Sequence, residues 1–320
     1  MRYPFASALA VSSLALALGG CPSDPVGTDT GVSGNDAGPT GDTGPVMTMC
    51  PVQAGPMAPI PDPSNQTGAC CYRHSQETSQ AAPEYRLRYI DITQPAMSPL
   101  STTTVDNLLN ISLGAETFNW LVRATGAEAD GLVDITMGFG TRDAATGTYS
   151  FGTTMYPPTT LMGTLTGETV STTPSLGSTL QIPIFDPTGA TLQLVLNLRD
   201  VRISSAPLSE MRNCIGARTG ARFATPGELD GYLEVSTART GMINVSPINS
   251  TLCSVVAGSL TMPICDMPQS TWTAKPDSLC SATSCAVNPA GSTSVCDPST
   301  TCNAWHLVAS FAAQGIDITP

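Results

Sequence analysis

The stretch ATLQLVLNLRDVRIS, Ala190–Ser204, indicates the fold class of this chain. Leucine occupies every second position over Leu192–Leu198, which is the period of a β-strand with one buried face. At Arg199–Asp200 the alternation shifts by one residue, so that Val201 and Ile203 become the apolar positions. A β-bulge at this point would keep both halves of the strand facing the same core.

The residues before this strand predict its partner. Leu180, Ile182 and Ile184 alternate in the same way, and the intervening Asp186-Pro187-Thr188-Gly189 has Asp, Pro and Gly where a type I turn prefers them. Residues 178–204 are therefore predicted to form a β-hairpin.

Period-two patterns elsewhere predict two further hairpins. Strands over Thr117–Ala124 and Leu132–Phe139 would join at an Asp130-Gly131 turn, and Thr148–Met155 would follow a turn at Gly147. Shorter strands are predicted at 84–92, 160–166, 231–237, 241–245 and 305–313. Segment 305–313 also suits a helix, because Leu307, Val308 and Phe311 share one helical face.

Two short helices complete the predicted elements. Residues 102–112 place Val105, Leu108, Leu109 and Ser112 on one face, with Gly114 as the stop. Residues 250–257 would be capped by Asn249 or Ser250 and ended by Gly258. The predicted fold is all-β: an antiparallel β-sandwich or open barrel with one or two short helices and a disulfide-rich C-terminal segment.

The composition excludes several classes of protein. Charged residues make up 12% of the chain, against about 25% in an ordinary soluble domain. The 13 basic residues, of which Lys275 is the single lysine, are outnumbered by 25 acidic ones. Because this balance repels phosphate backbones, we expect no nucleic-acid partner. The 29 Gly and 27 Pro exclude a coiled coil or helix bundle.

The N-terminus has the layout of an export signal. Met1 and Arg2 precede the apolar run Phe5–Leu18, which is too short to cross a bilayer. The following Leu18-Gly19-Gly20-Cys21 resembles the lipobox of bacterial lipoproteins. That resemblance implies removal of residues 1–20 and acylation of Cys21, which would anchor the protein to a membrane. The alternative is an ordinary secretory signal followed by a disulfide cysteine.

The resemblance also bears on the choice of membrane. In enteric lipoproteins, an Asp directly after the acylated Cys retains the protein at the inner membrane. Pro22 and Ser23 follow Cys21 here, which favours the outer membrane.

The cysteine count agrees with acylation of one residue. Removing Cys21 from the 11 cysteines leaves an even number, which an oxidising compartment can pair completely. The candidates for disulfide bonds are Cys50, Cys70, Cys71, Cys214, Cys253, Cys265, Cys280, Cys285, Cys296 and Cys302. Adjacent Cys70 and Cys71 should take different partners, and Cys214 is paired with Cys253 as a working hypothesis. The spacings do not suit zinc, so no metal or cofactor is expected.

These features divide the chain into four parts. Residues 1–20 are the signal peptide, and 21–63 are an acylated Cys followed by a disordered tether rich in Pro, Gly, Thr and Asp. Residues 64–264 are the β-rich globular domain. Residues 265–320 are a Cys-rich segment that disulfides would fix against the sheet, ending in a strand packed on the main domain.

No catalytic residue is assigned from the sequence. The chain lacks the serine-hydrolase elbow, zinc-protease and phosphate-loop motifs, and a Ser/His/acid triad would have to use His74 or His306. The alternative to a non-catalytic protein is a tethered glycan-active hydrolase with two carboxylates. Its candidate residues, on or beside predicted strands, are Asp91, Asp134, Glu168, Asp200, Glu228 and Asp230.

One predicted strand carries aromatic and amide side chains of the kind that can bind a sugar. Phe118 and Trp120 share one side of a predicted strand, with Asn119 and Arg123 on the other, and this alternation favours Phe and Trp in the core. Asn-x-Ser/Thr sites at Asn65, Asn110, Asn244 and Asn249 are read as chance in a bacterial protein. The sequence therefore predicts a lipid-anchored envelope protein with a structural or binding role, its partner an envelope protein or a glycan.

Overall fold

The structure is a computed structural model that describes residues 81–101, 104–152, 155–185, 191–209, 212, 214–219, 222–245 and 248–319. The predicted signal peptide, Cys21, the tether, Cys50, Cys70, Cys71 and His74 lie outside these residues. The turn at 186–190 lies outside them as well.

Antiparallel strands make up about half of the described chain. They are β1 Glu84–Gln94, β2 Trp120–Thr125, β3 Gly131–Arg142, β4 Tyr149–Phe151, β5 Thr159–Thr166, β6 Thr169–Thr172, β7 Thr179–Phe185, β8 Leu192–Pro207, β9 Cys214–Ile215, β10 Ala217–Thr219, β11 Arg222–Thr225, β12 Gly227–Glu234, β13 Met242–Val245, β14 Ile248–Thr251, β15 Ser278–Cys280, β16 Cys285–Val287 and β17 Ala304–Gly315. The helices are α1 Thr104–Ala115, α2 Val235–Thr240 and α3 Leu252–Ala257, with short 3-10 helices at Ile264–Asp266 and Gln269–Thr271.

Eight of these strands form a sheet that closes on itself. The pairing order is β1-β2-β3-β5-β6-β8-β12-β17, and β17 pairs again with β1. The closing pair runs antiparallel from Tyr85 opposite Gly315 to Gln94 opposite Val308. Segment 305–313 is thus a strand, as predicted, and it lies between β1 and β12 in the closed sheet. The all-β antiparallel fold class is confirmed.

The predicted bulge in β8 is present. Asp230 of β12 lies opposite Arg202, whereas Tyr232 lies opposite Arg199, so β8 has one extra residue between the two pairs. Asp200 takes a left-handed conformation there, with φ of 50°. The predicted hairpin also forms, with β7 paired along β8 from Thr179 opposite Arg199 to Phe185 opposite Leu192.

The core lies on the inner face of the closed sheet. On β8 it takes Leu194, Leu196 and Leu198 before the bulge and Val201 and Ile203 after it, all buried. The bulge therefore keeps both halves of β8 directed at one core. Trp305, which is completely buried, is the first residue that β17 adds to this core.

Helix α1 forms at the predicted position, but its predicted stop at Gly114 is wrong. Gly114 lies within the helix, and the residue in the left-handed conformation is Glu116, with φ of 60°. The backbone carbonyl of Glu116 accepts a hydrogen bond from the Asn119 side chain, and the Glu116 carboxylate lies 3.5 Å from Arg142. These contacts favour a conformation that glycine would adopt more readily.

The predicted caps and ends need two further corrections. Helix α3 is capped by Thr251, the last residue of β14, whose hydroxyl accepts from the Ser254 amide, and not by Asn249 or Ser250, which lie earlier in that strand. Gly258 ends α3 as predicted, with φ of 115°. The predicted strand 231–237 stops at Glu234, where α2 begins. No helix in the described ranges has the length and apolar character needed to span a membrane.

Candidate functional site

Three disulfide bonds join six of the predicted cysteines. The pairs are Cys253–Cys265, Cys280–Cys285 and Cys296–Cys302. Cys214 is disulfide-bonded as well. The predicted pairing of Cys214 with Cys253 is wrong, because α3 is followed directly by the 3-10 helix that contains Cys265. The Cα atoms of Cys253 and Cys265 are 6.1 Å apart, an ordinary disulfide separation.

Two of these bonds close small loops within the Cys-rich segment. The sequence separations are 5 residues for Cys280–Cys285 and 6 for Cys296–Cys302. The expectation that disulfides fix this segment against the sheet is therefore wrong for these two bonds. The third bond, Cys253–Cys265, does join the segment to the main domain, because Cys253 lies in α3 and Cys265 begins the segment. Hydrogen bonds from polar side chains add to this attachment, and the first of them involves Asp200 at the β8 bulge.

Asp200 joins the bulge to the Cys-rich segment. Its side chain is 2% exposed, and its two oxygens accept hydrogen bonds from the Gly177 amide at 2.8 Å and the Cys285 amide at 2.6 Å. Hydrogen bonds to a charged acceptor are stronger than those between neutral groups. Both oxygens of this candidate catalytic carboxylate therefore accept from backbone amides, one in the turn before β7 and one at the start of β16.

Polar and aromatic contacts near the start of β17 strengthen the same attachment. The Asn303 side chain accepts from the Cys280 amide at 2.7 Å and donates to the Cys280 carbonyl at 2.8 Å. The Trp305 indole donates to the Ala274 carbonyl at 3.0 Å, and its ring stacks on Trp272. The segment is therefore attached both by side-chain to main-chain bonds and by Trp272, which is buried in the main core.

The densest group of ionisable side chains lies on the outer face of β8, β12 and β17. Asp230, 6% exposed, is contacted by Arg202, whose Nε lies 2.8 Å from Oδ2 and 2.9 Å from Oδ1. The ring of His306 places Nε2 3.5 Å from Asp230 Oδ1. On the next cross-strand pair, the rings of Tyr232 and His306 are 5.1 Å apart. We refer to Arg202, Asp230, Tyr232 and His306 as the β12 cluster.

The environment of the β12 cluster changes the acidity of Tyr232. Burial raises the pKa of the Tyr232 phenol, and the negative charge of Asp230 raises it further, while Arg202 acts in the opposite direction. Removing a proton from Tyr232 would bring a second negative charge close to Asp230 in a half-buried site. The phenol is therefore held in its neutral form.

Among the other candidate carboxylates, Asp91 of β1 and Glu228 of β12 both lie opposite Ser310 of β17, so they flank that strand at the same level. Glu168, in the β5–β6 turn, pairs with Arg212 at 3.1 Å, and Glu228 lies exposed on β12 within 3.5 Å of the Ser204 hydroxyl. Asp134 is exposed on β3, and Asp91 is half-buried on β1 opposite Ser310. The strongest contacts of Asp200, Asp230 and Glu168 are thus with backbone amides or arginines.

His306 has an acidic neighbour but lacks the third part of a triad. Asp230 would correspond to the acid, yet no serine hydroxyl in the described ranges is hydrogen-bonded to the His306 ring. A nucleophile next to its base is the signature of such a site. The described part of the chain likewise contains no group of three His, Cys, Asp or Glu arranged to hold a metal ion.

Phe118 and Trp120 belong to the core, as the alternation predicted. They are 2% and 3% exposed, and their ring centroids are 6.3 Å apart. The polar residues between and beyond them take part in structural contacts: Asn119 accepts from Arg86 Nε at 2.6 Å, and Arg123 pairs with Glu84 at 2.7 Å. These residues do not form an exposed sugar-binding face.

A cavity that the sequence did not reveal lies inside the fold. It has a volume of about 50 Å³ and an almost wholly apolar lining contributed by α1, β1, β7, β8, β12 and β17. The lining residues were separately predictable as core positions of their strands. The sequence contains no signal that they leave a space, because a void depends on how strands from distant parts of the chain meet.

Comparison with protein-family models, with curated proteins and with solved structures finds no significant match to this chain.

Proposed function

We propose that this protein is a lipid-anchored bacterial envelope protein, held at the outer membrane, whose β-domain has a structural or binding role and no catalytic one. The observation that carries the proposal is Leu18-Gly19-Gly20-Cys21 directly after the apolar run Phe5–Leu18. Two or more acyl chains at Cys21 would give stable anchoring, because each buried CH₂ contributes about 0.8 kcal/mol.

The disulfide bonds support an oxidising location. Seven of the ten cysteines other than Cys21 are disulfide-bonded in the described residues. Disulfides of this density are typical of exported proteins and rare in the cytosol. An envelope compartment outside the cytoplasm meets this condition.

The contacts of Asp200 and Asp230 support a non-catalytic role for these two acids. A glycosidase needs two carboxyl groups free to face one sugar, one of them with a raised pKa. Here Asp200 accepts two backbone amides and Asp230 is paired with Arg202. Both acids therefore stabilise the fold at the places where β8 meets the Cys-rich segment and β12.

Metabolic labelling in a bacterial host tests the anchor. Cells that express the full chain are grown with radioactive palmitate, and their membranes are separated by density. We expect label on the protein and recovery in the outer membrane fraction. A matched Cys21→Ser variant should lose the label and leave that fraction. Unlabelled wild-type protein, or equal labelling of both proteins, would contradict the proposal.

The partner is tested separately. Purified protein is applied to an array of bacterial envelope glycans and, in parallel, to envelope proteins cross-linked in intact cells. Specific capture of one class identifies the partner. Hydrolysis of an arrayed glycan that Asp91→Asn and Glu228→Gln both abolish, in variants that melt like the wild type, would replace the binding role with the hydrolase.

A further inference from the structure

The cavity inside the fold is bounded by hydrocarbon from several elements. Its lining includes Ile90 and Ile92 of β1, Leu109 of α1, Ile182 and Ile184 of β7, and Ala309 of β17. Leu229 and Asp230 of β12 also take part. The lining is almost entirely apolar although Asp230 takes part, because that carboxylate is bonded to Arg202 on the outer face.

The chemistry of this lining excludes water as a stable occupant. A buried water needs two to four polar partners, and apolar cavities stay dry unless a nonpolar molecule fills them. Binding an apolar group here would therefore displace no hydrogen-bonded water. An eight-stranded closed sheet has an interior wide enough for packed side chains or one small ligand.

The size of the cavity limits the ligand. At about 50 Å³ it has roughly a third of the volume of the engineered apolar cavity that holds benzene. A ring does not fit without movement of the lining, whereas the terminal carbons of an unbranched chain do. Within the lining, Ile90 and Ile182 are half-buried while Ile92 and Ile184 are buried. Solvent therefore reaches the cavity from the side of Ile90 and Ile182.

This entrance lies where strand pairing in the sheet is incomplete. Strand β1 pairs with β2 only over Glu84–Arg86, and helix α1 covers the next part of β1. The Asn110 side chain replaces a strand at this point, because it accepts from the Ile90 amide at 3.0 Å and donates to the Ile90 carbonyl at 2.7 Å. Leu109, the preceding residue of α1, lines the cavity.

We propose that this cavity binds the end of a hydrocarbon chain, which enters between Ile90 and Ile182 while its polar head remains in solvent. The chain can come from a free fatty acid or from a membrane lipid, since both carry the same unbranched alkyl end. Binding at this site does not depend on acylation of Cys21, so the two proposals can fail independently.

Methyl NMR gives a direct test, because four isoleucines line the cavity. The full chain with Cys21→Ser, produced in an oxidising compartment, is labelled at isoleucine δ1-methyl groups. It is titrated with decanoate as the free fatty acid and with dihexanoylphosphatidylcholine below its micelle concentration as the lipid. We expect shifts of the Ile90, Ile92, Ile182 and Ile184 methyls with at least one amphiphile, and that amphiphile identifies the source. The methyls of Ile135 and Ile203, buried elsewhere, should not shift.

Variants that fill the cavity complete the test. Ala309→Leu adds a side chain into the cavity from β17 and should weaken binding of the effective amphiphile by about tenfold or more. Leu229→Phe fills it from β12 and is the second variant if Ala309→Leu does not fold, as judged by its melting curve. Ile111→Ala, on the exposed face of α1, is the matched control and should bind normally. Absence of shifts with both amphiphiles, or unchanged binding by the filled variants, would overturn the proposal.

Discussion

The closed sheet and the Cys-rich segment before β17 are held together by different interactions. Inside the sheet, side chains such as Ile203 and Leu233 are almost fully buried among others of the same kind. In the Cys-rich segment, order comes from single contacts, including the Asp200 carboxylate, the Asn303 amide and short disulfide loops. Many apolar contacts stabilise the sheet, whereas a few polar groups, the buried Trp272 and the Cys253–Cys265 bond attach the segment to it.

The largest loss of stability should follow from creating a new cavity in the core of the sheet. Ile203→Ala removes a side chain that is 1% exposed, and its unfolding free energy should fall by about 2–5 kcal/mol. Leu132→Ala, at a position that is 84% exposed, is the matched control and should change stability by less than about 0.5 kcal/mol. Urea denaturation of the oxidised protein measures both. Equal losses for the two variants would contradict the assignment of the core to the inner face.

A smaller loss of stability is expected for a substitution at the point where the sheet and the Cys-rich segment join. Asp200→Asn keeps a residue type that tolerates positive φ but removes the charge that accepts the Gly177 and Cys285 amides. We expect a loss of about 1.5–3 kcal/mol, together with faster hydrogen exchange at those two amides.

Exchange data also separate a local effect from a global one. If the amides of β2 and β3 exchange faster in Asp200→Asn by the same factor as those of Gly177 and Cys285, Asp200 does not act as the junction described here. Asp134→Asn, exposed on β3, is the control and should leave all of these rates unchanged.

Removing a small disulfide loop should cost less again. Replacing both Cys280 and Cys285 with Ser frees a loop of 5 residues, for which chain entropy predicts about 2 kcal/mol. The sheet should remain folded, because β15 and β16 lie at the end of its pairing order. Far-ultraviolet circular dichroism and thermal melting measure this. Loss of the whole β signal in the double variant would show that the segment is part of the core.

The smallest effect is the pH dependence of stability that Tyr232 contributes. Burial and Asp230 raise the pKa of Tyr232 above its ordinary value of 10.0, so the folded state holds this proton more tightly than the unfolded state does. The resulting stabilisation is fully present below pH 10 and is lost as pH rises through the folded pKa. Because Tyr232 is only half-buried, solvent screening keeps the contribution small.

Absorbance at alkaline pH checks this shift. We expect one tyrosine of the folded protein to ionise later than it does in denaturant, and Tyr232→Phe should remove that late step. Persistence of the late step in Tyr232→Phe would assign it to another tyrosine.

The sequence predicted the local features of the sheet but not the pairing of its distant strands. Alternating leucines in β8 identified the hairpin, the bulge and the inner face, because period two is a local consequence of one-sided burial. The pairing of β1 with β17 could not be predicted, since it joins residues more than two hundred positions apart. Segment 305–313 was assigned as a strand despite its helical alternative, but its place between β1 and β12 was not.

The roles and contacts of the site residues were harder to predict from the sequence than the fold was. Asp200 was identified only as one of six carboxylates, and its role depends on an amide 85 positions away in the chain. The β12 cluster arises from cross-strand register, which places Arg202 and His306 beside residues of β12. The Cys253–Cys265 bond could not be selected because many pairings of ten cysteines are consistent with the sequence.

Intact mass of the protein extracted from native membranes, before and after reduction, tests the central proposal most directly. The proposal predicts a chain that begins at Cys21, carries added acyl mass and gains ten hydrogens on reduction, one for each cysteine other than Cys21. A chain that retains residues 1–20, carries no acyl group or gains no mass on reduction would contradict it.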